Sequence, residues 1–387
     1  MEPVKKDELE VAETVPAVQF EKEESILVAS QWRLMWLRFK KHKLALVASV
    51  LIIIMYILAL FADFFAPYRP DDSVADLTFA PPTELHFKKP DGGFSLRPYV
   101  YGMKQEIDPE ALRRVFKPDP EKVFPVKFFH RGDEYKMLGV IKSNIHLFGI
   151  EGGEQKYRIY VWGADRMGRD VFTRVIFGSR ISMSVGLLGV FISLILGITI
   201  GGFSGYFGGW FDNMTQRIIE FIRSIPHLPL WMALSAALPA NWPPLRVYFG
   251  ITVVLSLISW TGLARVVRSK FLSLREEDFV MAARLVGASN KRIVFRHMVP
   301  SFLSHIIASV TLAIPGMILG ETSLSFLGLG LRPPVVSWGV LLQDAQNLRA
   351  VSQAPWLLIP GLAVMVAVLC FNFFGDGMRD AADPYGR

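Results

Sequence analysis

The sequence predicts an all-α integral membrane protein of about six transmembrane helices, with a small α+β insertion between the first two spans. Three observations carry this. Hydrophobic residues make up 51% of the 387-residue chain and charged residues only 20%, a balance seldom found in a soluble chain of this length. The apolar residues gather into runs that approach the ~20 residues needed to cross roughly 30 Å of hydrocarbon. Basic residues flank those runs, as membrane topology requires. The formal net charge of +7 therefore points to a membrane and not to nucleic acid.

Residues 1–30 are acidic and poor in aromatics, the composition of a disordered tail, placed here in the cytoplasm. Residues 31–65 form an N-terminal anchor and the first span. Its apolar run, Leu44 to Ala62, has no charge and follows Arg33, Arg38, Lys40, Lys41 and Lys43 without an acid between them. That is a start-transfer anchor with a cytoplasmic N-terminus. It begins too late and runs too long for a cleaved signal peptide.

Residues 66–165 hold fifteen Lys/Arg and fifteen Asp/Glu, too many charges for a span. They are expected to form an extracytoplasmic insertion domain, since so long a loop is translocated whatever its charge. Within it, VFPVKFF and EYKMLGV read as two strands around a turn at Arg131–Asp133.

Residues 166–376 hold the remaining spans, expected at Ile181–Phe203, Val247–Ala264, Phe302–Leu319 and Trp356–Phe374, with a weaker one at Ile218–Leu238. The weaker run contains Pro226 and Pro229 and carries Glu220, Arg223 and His227. Prolines are tolerated in spans where neighbours satisfy the freed backbone groups. The loop 265–300 decides the count. It carries Arg265, Arg268, Lys270, Arg275, Arg284, Lys291, Arg292 and Arg296, each costing roughly 2.5–3.5 kcal/mol at a bilayer centre. It must lie in the cytoplasm, and with a cytoplasmic N-terminus it does so only if Ile218–Leu238 crosses. The tail 377–387 then also ends inside.

The most informative stretch is SLREEDFVMAARLVGASNKRIVFRHMVPS, residues 273–301. It predicts two short helices beneath the membrane. Ser273 and Glu276 have capping-box spacing, and Glu276, Glu277 and Asp278 fall where a helix dipole favours acids. Phe279, Ala282, Ala283 and Val286 outline an apolar face. Gly287 permits a turn closed to other residues, Ser289 is placed to cap the next helix, and Pro300 fixes the approach to the fifth span. Taken alone, this also describes an ordinary amphipathic loop.

The same stretch resembles the cytoplasmic coupling loop of ABC-importer permeases, whose pattern is Glu-Ala-Ala, three residues, Gly, and Pro thirteen positions later. Here Met281-Ala282-Ala283, Gly287 and Pro300 match in spacing, with Met281 in place of the Glu. Four further stretches resemble the dipeptide/oligopeptide branch of that family. They are WGADRMGRDVFTRVIFGSRISMSVG from Trp162, DNMTQRIIEFIRSIPHLPL from Asp212, GETSLSFLGLGL from Gly320, and NFFGDGMRDAADP ending at Pro384. Together they cover residues 162–384 in the expected order.

The resemblance implies that the loop, with Glu277, Met281, Ala282, Ala283, Gly287 and Pro300, docks into an ATPase subunit. The partners it implies are a second homologous permease, two ATP-binding-cassette subunits that bind ATP and Mg, and an extracytoplasmic substrate-binding protein. The cargo it implies is di- or oligopeptide, with oligosaccharides, opines or chelated nickel as alternatives.

Other charged residues admit two readings. Arg217, Glu220 and Arg223 have i,i+3 spacing, which suits a structural ion pair, and as ionisable groups at the end of a span they are also candidate gate residues. Asp376 and Arg379 are candidate interface residues at the cytoplasmic face. Gly163, Gly168 and Asp170 have the makings of a turn and cap before the second span, and His227 and His305 read as packing residues. Cys370 is the single cysteine, so no internal disulfide is expected, and no Cys/His cluster has zinc spacing. There is no Gly-Lys dipeptide and hence no P-loop. No catalytic residue and no cofactor are expected in this chain. Two readings of other classes are an ion-coupled carrier, which would show inverted repeats, and a membrane receptor or scaffold acting through the outer domain.

Overall fold

In the computed structural model, residues 31–88, 94–107, 114–151, 157–239 and 241–382 are described. The tail 1–30, Asp383 and Pro384 lie outside them. A short helix α1 (Gln31–Phe39) leads into α2 (Lys43–Leu60), whose first turn is capped by His42 Nδ1 accepting from Ala45 N at 3.1 Å. Only Ala45, Ala48, Ile52 and Ala59 of α2 are buried. Val47, Ile53 and Ile57 are exposed, as they would be on a helix that presents most of its surface to lipid. The chain then turns through α3 (Ala62–Phe65).

A four-stranded antiparallel sheet follows in the order β1 (His86–Lys88), β2 (Phe94–Ile107), β3 (Arg114–Met137) and β4 (Ile141–Ile150). β3 is long enough to serve two partners. Its residues from Arg114 to Pro125 pair with β2, and those from Val126 to Met137 pair with β4. The turn expected at Arg131–Asp133 is absent. That stretch stays in the strand, with a register shift between Arg131 and Tyr135. Gly132 serves there as a close-approach site, because a Cβ on it would come within 2.8 Å of the His146 ring. The hairpin turns instead at Leu138–Val140, with Leu138 and Gly139 at positive φ (53° and 75°). His146 ties the sheet to the end of the first span, its Nδ1 lying 2.7 Å from the Ala66 carbonyl.

The longer helices that follow are α4 (Val171–Phe207), α5 (Gly209–Ser224), α6 (His227–Ala236), α7 (Pro244–Leu274), α8 (Asp278–Leu285), α9 (Leu303–Phe326) and α10 (Ile359–Ala382). Among the described residues, five helices are long and apolar enough to cross a membrane: α2, α4, α7, α9 and the segment Pro355–Ala382. The expected span Ile218–Leu238 is not one helix. Pro226 has no N–H to donate and drives Ile225 into an extended conformation (φ −94°, ψ 131°), which separates α5 from α6.

Small residues set the packing, letting backbones approach. α4 and α7 run parallel. Tyr248 Oη donates to Ser184 Oγ at 2.9 Å, Ser256 Oγ to the Gly189 carbonyl at 3.0 Å, and further along Gly201 and Gly205 lie against the backbones of Ala264 and Arg268. α9 runs antiparallel to α4, with Gly186 against Ile318 and Ser182 bonded to Glu321. α10 closes the bundle, Gly375 packing on Leu312 and Gly377 on Ala45 of α2.

Candidate functional site

The stretch expected to couple to a partner begins later than its sequence suggests. α7 runs through Leu274, so Ser273 lies inside a helix and forms no capping box with Glu276, which instead accepts from Arg275 Nε at 2.9 Å. Glu277 is the N-cap residue of α8, and Asp278 occupies its first turn. At the other end, Ala288 N donates to the Ala283 carbonyl at 3.0 Å and Gly287 N to the Arg284 carbonyl at 2.9 Å. With Gly287 at φ +76°, this is a Schellman termination. Ser289 caps the next turn, its Oγ accepting from Arg292 N.

α8 packs inward through Val280 and Ala283. These join Tyr206 of α4, Val267 and Phe271 of α7, and Ile293, Val294 and Met298 of the following π-helical turn. Tyr206 acts as a latch, with the Arg284 guanidinium stacked 4.9 Å over its ring and its Oη donating to Asn290 Oδ1 at 3.0 Å. Of the apolar face expected from spacing, only Ala283 points in. Phe279, Ala282 and Val286 are exposed, as are Met281 and Gly287. Leu285 and Val286 are 88% and 83% exposed. A two-turn helix, fixed at its rear to both long spans, thus holds an apolar ledge outward. Pro300 is exposed in the short turn before α9.

A second arrangement locks α5 to α7. Arg268 Nε and Nη2 donate to Asp212 Oδ1 and Oδ2, both at 2.5 Å, and Ser204 Oγ of α4 donates to Oδ1. One turn on, Arg217 and Glu220 pair at 2.9 Å on an exposed face, and Arg223 is also exposed. Asp376 and Arg379 are exposed on α10, away from the Arg217–Glu220 pair in sequence and on a different helix.

Sequence reasoning did not single out Glu321, which is fully buried in α9. Ser182 Oγ donates to its Oε2 at 2.9 Å, and Ser325 and Ser337 hydroxyls donate to Oε1 at 2.8 Å each. Each of these hydroxyls also accepts a backbone N–H, from Trp338, Leu331 and Val340 respectively. One carboxylate therefore holds α4, α9 and the segment after α9 together. The signal available was an acid inside an apolar run followed by serines.

At the start of α4, Asp170 caps the helix, its Oδ2 accepting from Thr173 N at 2.9 Å and Thr173 Oγ1 at 2.7 Å. Gly163 and Gly168 turn the chain at positive φ, as expected. Burial pushes the Asp170 carboxyl up to about 6. Burial also raises Asp344, against the pull of Arg166 at 2.8 Å. Among the described residues, no group of three or more His, Cys, Asp or Glu is placed to hold a metal. Cys370 is free and buried.

Two family models match this chain. One is the binding-protein-dependent transport system inner membrane component, over residues 197–385. The other is the N-terminal TM domain of oligopeptide transport permease C, over residues 30–82. Among curated proteins, the dipeptide transport system permease protein DppC of Alkalihalophilus pseudofirmus is 41% identical, over 58% of this chain and 71% of its own length. The oligopeptide transport system permease protein OppC of Haemophilus influenzae is 41% identical, over 59% of this chain and 71% of its own length. The DppC of Lactococcus lactis is 33% identical over 90% of this chain and 89% of its own length, a match that takes in the sheet as well. With five membrane-length helices, an outward apolar ledge on α8 and these relatives, the chain belongs to the family of binding-protein-dependent transport-system inner-membrane components.

Proposed function

We propose that this chain is a permease subunit of an ATP-driven peptide importer, and that α8 is the element through which ATPase subunits move it. The observation that carries this is the exposed ledge of Met281, Leu285 and Val286, fixed from behind to α4 and α7 by Val280, Ala283 and Tyr206. Exposed apolar side chains of that size on a surface otherwise rich in Arg and Lys mark a protein contact. A rigid rear attachment to two spans converts a push on the ledge into movement of the bundle. Glu277, Gly287 and Pro300 define the shape of that contact. ATP and Mg would sit on the partners, and the chain itself does no catalysis. The dipeptide and oligopeptide names of its relatives support a peptide cargo delivered by a binding protein.

The parallel packing of α4 and α7 supports a sixth crossing. Two parallel neighbours need a connection that returns the length of the helices, and α5 with α6 makes that return in two pieces. On this topology the sheet lies outside, the α8 region lies in the cytoplasm with both termini, and Arg217, Glu220, Arg223, Asp376 and Arg379 fall at the cytoplasmic side. A second permease, two ATPases and one binding protein complete the assembly.

The test is mild-detergent purification of the Gly287→Asp chain beside the wild type, with uptake of labelled peptide in cells. The expected result is normal membrane insertion, loss of co-purifying ATPase and loss of uptake. Normal uptake by the variant would overturn the role given to α8.

A further inference from the structure

The β3–β4 hairpin lies close to the sheet-side end of the first membrane-length helix. At His146 the sheet meets Ala66, just past the end of α2. From there the hairpin runs past α3 to its tip, which faces α2 and α4 across a cleft. Lys136, Leu138 and Gly139 line one side of a cleft of about 390 Å³, and Tyr56, Leu60 and Leu187 line the other. Tyr56 lies about 6 Å along the helix axis from Leu60, the last residue of α2. α2 has 18 residues, about 27 Å of helix, against roughly 30 Å of hydrocarbon. It has no length to spare, so the level of Tyr56 and Leu60 is already inside the bilayer.

The chemistry of the tip suits that depth. Val140 is 82% exposed, Ile141 58% and Leu138 51%, an apolar run at the turn of the hairpin. Lys136 and Lys142 face each other in register directly behind them, at the position where cations meet lipid phosphates while their stems cross apolar ground. Phe129 is also exposed and lies 6.3 Å from Phe64 at the end of the first span, the place of an interfacial aromatic.

We propose that the β3–β4 hairpin is a membrane anchor of the leaflet on the sheet's side. Its tip, Leu138 to Ile141, is immersed among lipid chains, and Lys136 and Lys142 bind lipid phosphate groups. The occupant of this surface is lipid, because an apolar tip rimmed by cations at bilayer depth is the pattern of an interfacial element. The inference rests on α2 crossing the membrane and is independent of the cargo.

The test uses the full chain with its partners in nanodiscs of phosphatidylethanolamine and phosphatidylglycerol. Cys370 is replaced by Ala, and single cysteines at Val140→Cys, Glu121→Cys and Ile53→Cys carry an environment-sensitive fluorophore. Doxyl-labelled lipid is expected to quench the label at 140 and not at 121, and iodide to quench at 140 about fivefold less than at 121. Lipid quenching at 53 checks separately that α2 spans. Equal iodide quenching at 140 and 121 overturns the anchor. Shielding of 140 from both quenchers also overturns it, and assigns the tip to a protein partner.

Discussion

Asp212 and Arg268, 56 residues apart, meet in a two-pronged ion pair with both N···O distances at 2.5 Å. The pair joins the first turn of α5 to the last turns of α7, and Ser204 of α4 completes it. Asp212 is 6% exposed, so removing its partner leaves a carboxylate largely cut off from water. Arg268→Ala is expected to cost about 2–4 kcal/mol, near the range for a broken buried pair. Arg268→Lys loses the second prong and costs about half as much. Thermal unfolding of the purified chain, read by loss of the monodisperse species on heating, checks both values. Equal stability of wild type and Arg268→Ala would show that the pair is ornamental.

Gly287 separates strain from contact. A Cβ there meets nothing within 4 Å, yet the residue sits at φ +76°. Asn tolerates that conformation better than other residues. Gly287→Asn should lower stability by less than about 1 kcal/mol, whereas Gly287→Val should cost about 1–2 kcal/mol from the backbone alone. Peptide uptake by the Asn variant, measured beside its melting temperature, shows whether function follows the turn or the open surface around it.

Glu321 is the shared acceptor of three hydroxyls. Glu321→Gln keeps one carbonyl oxygen for two of them and turns a donor toward the third, an expected cost of about 1–2 kcal/mol. Glu321→Ala strands all three and should cost more, about 3 kcal/mol or above. The Ala variant should also become sensitive to proteolysis between Leu327 and Trp338, because the Leu331 and Trp338 backbone N–H groups are held through the same serines. Limited proteolysis in detergent, with mass spectrometry of the cut sites, tests this.

Asp170 sets a pH dependence with a definite sign. Its folded pKa is pushed up to about 6, against about 3.9 for an unfolded Asp. Between those values the folded chain binds the extra proton, so this group's contribution to stability rises as pH falls from above 6 toward 4, by at most about 2–3 kcal/mol. Asp344 is also raised and acts in the same direction. Asp170→Asn retains an oxygen for Thr173 and removes the titration. The difference in melting temperature between pH 7.5 and pH 5 should therefore shrink in the variant. An unchanged difference would place the pH dependence elsewhere.

The local features were legible. The cap at Asp170, the turns at Gly163, Gly168 and Gly287, the cap at Ser289 and the Arg217–Glu220 pair all involve partners within a few residues. Their geometry follows from residue type and spacing. The sheet misled where a local rule met a distant neighbour. Gly132 has the look of a turn residue, but the ring of His146 occupies the space a side chain would need. The chain turns instead at Leu138–Val140, where no turn residue but Gly139 advertises it.

The sequence by itself determined that this is a membrane protein, the place of five membrane-length apolar helices and the turn at Gly287, because hydropathy and i to i+3 or i+4 bonding are properties of short stretches. The tertiary structure decided what those stretches hold. Glu321 meets Ser182 across 139 positions, and Ser182 meets Trp338 across 156. Parallel packing of α4 with α7, the face of α8 turned outward, and the hairpin tip set across a cleft from α2 are of the same kind. Such partners are chosen by which small residues let two backbones approach, and no local periodicity records that choice.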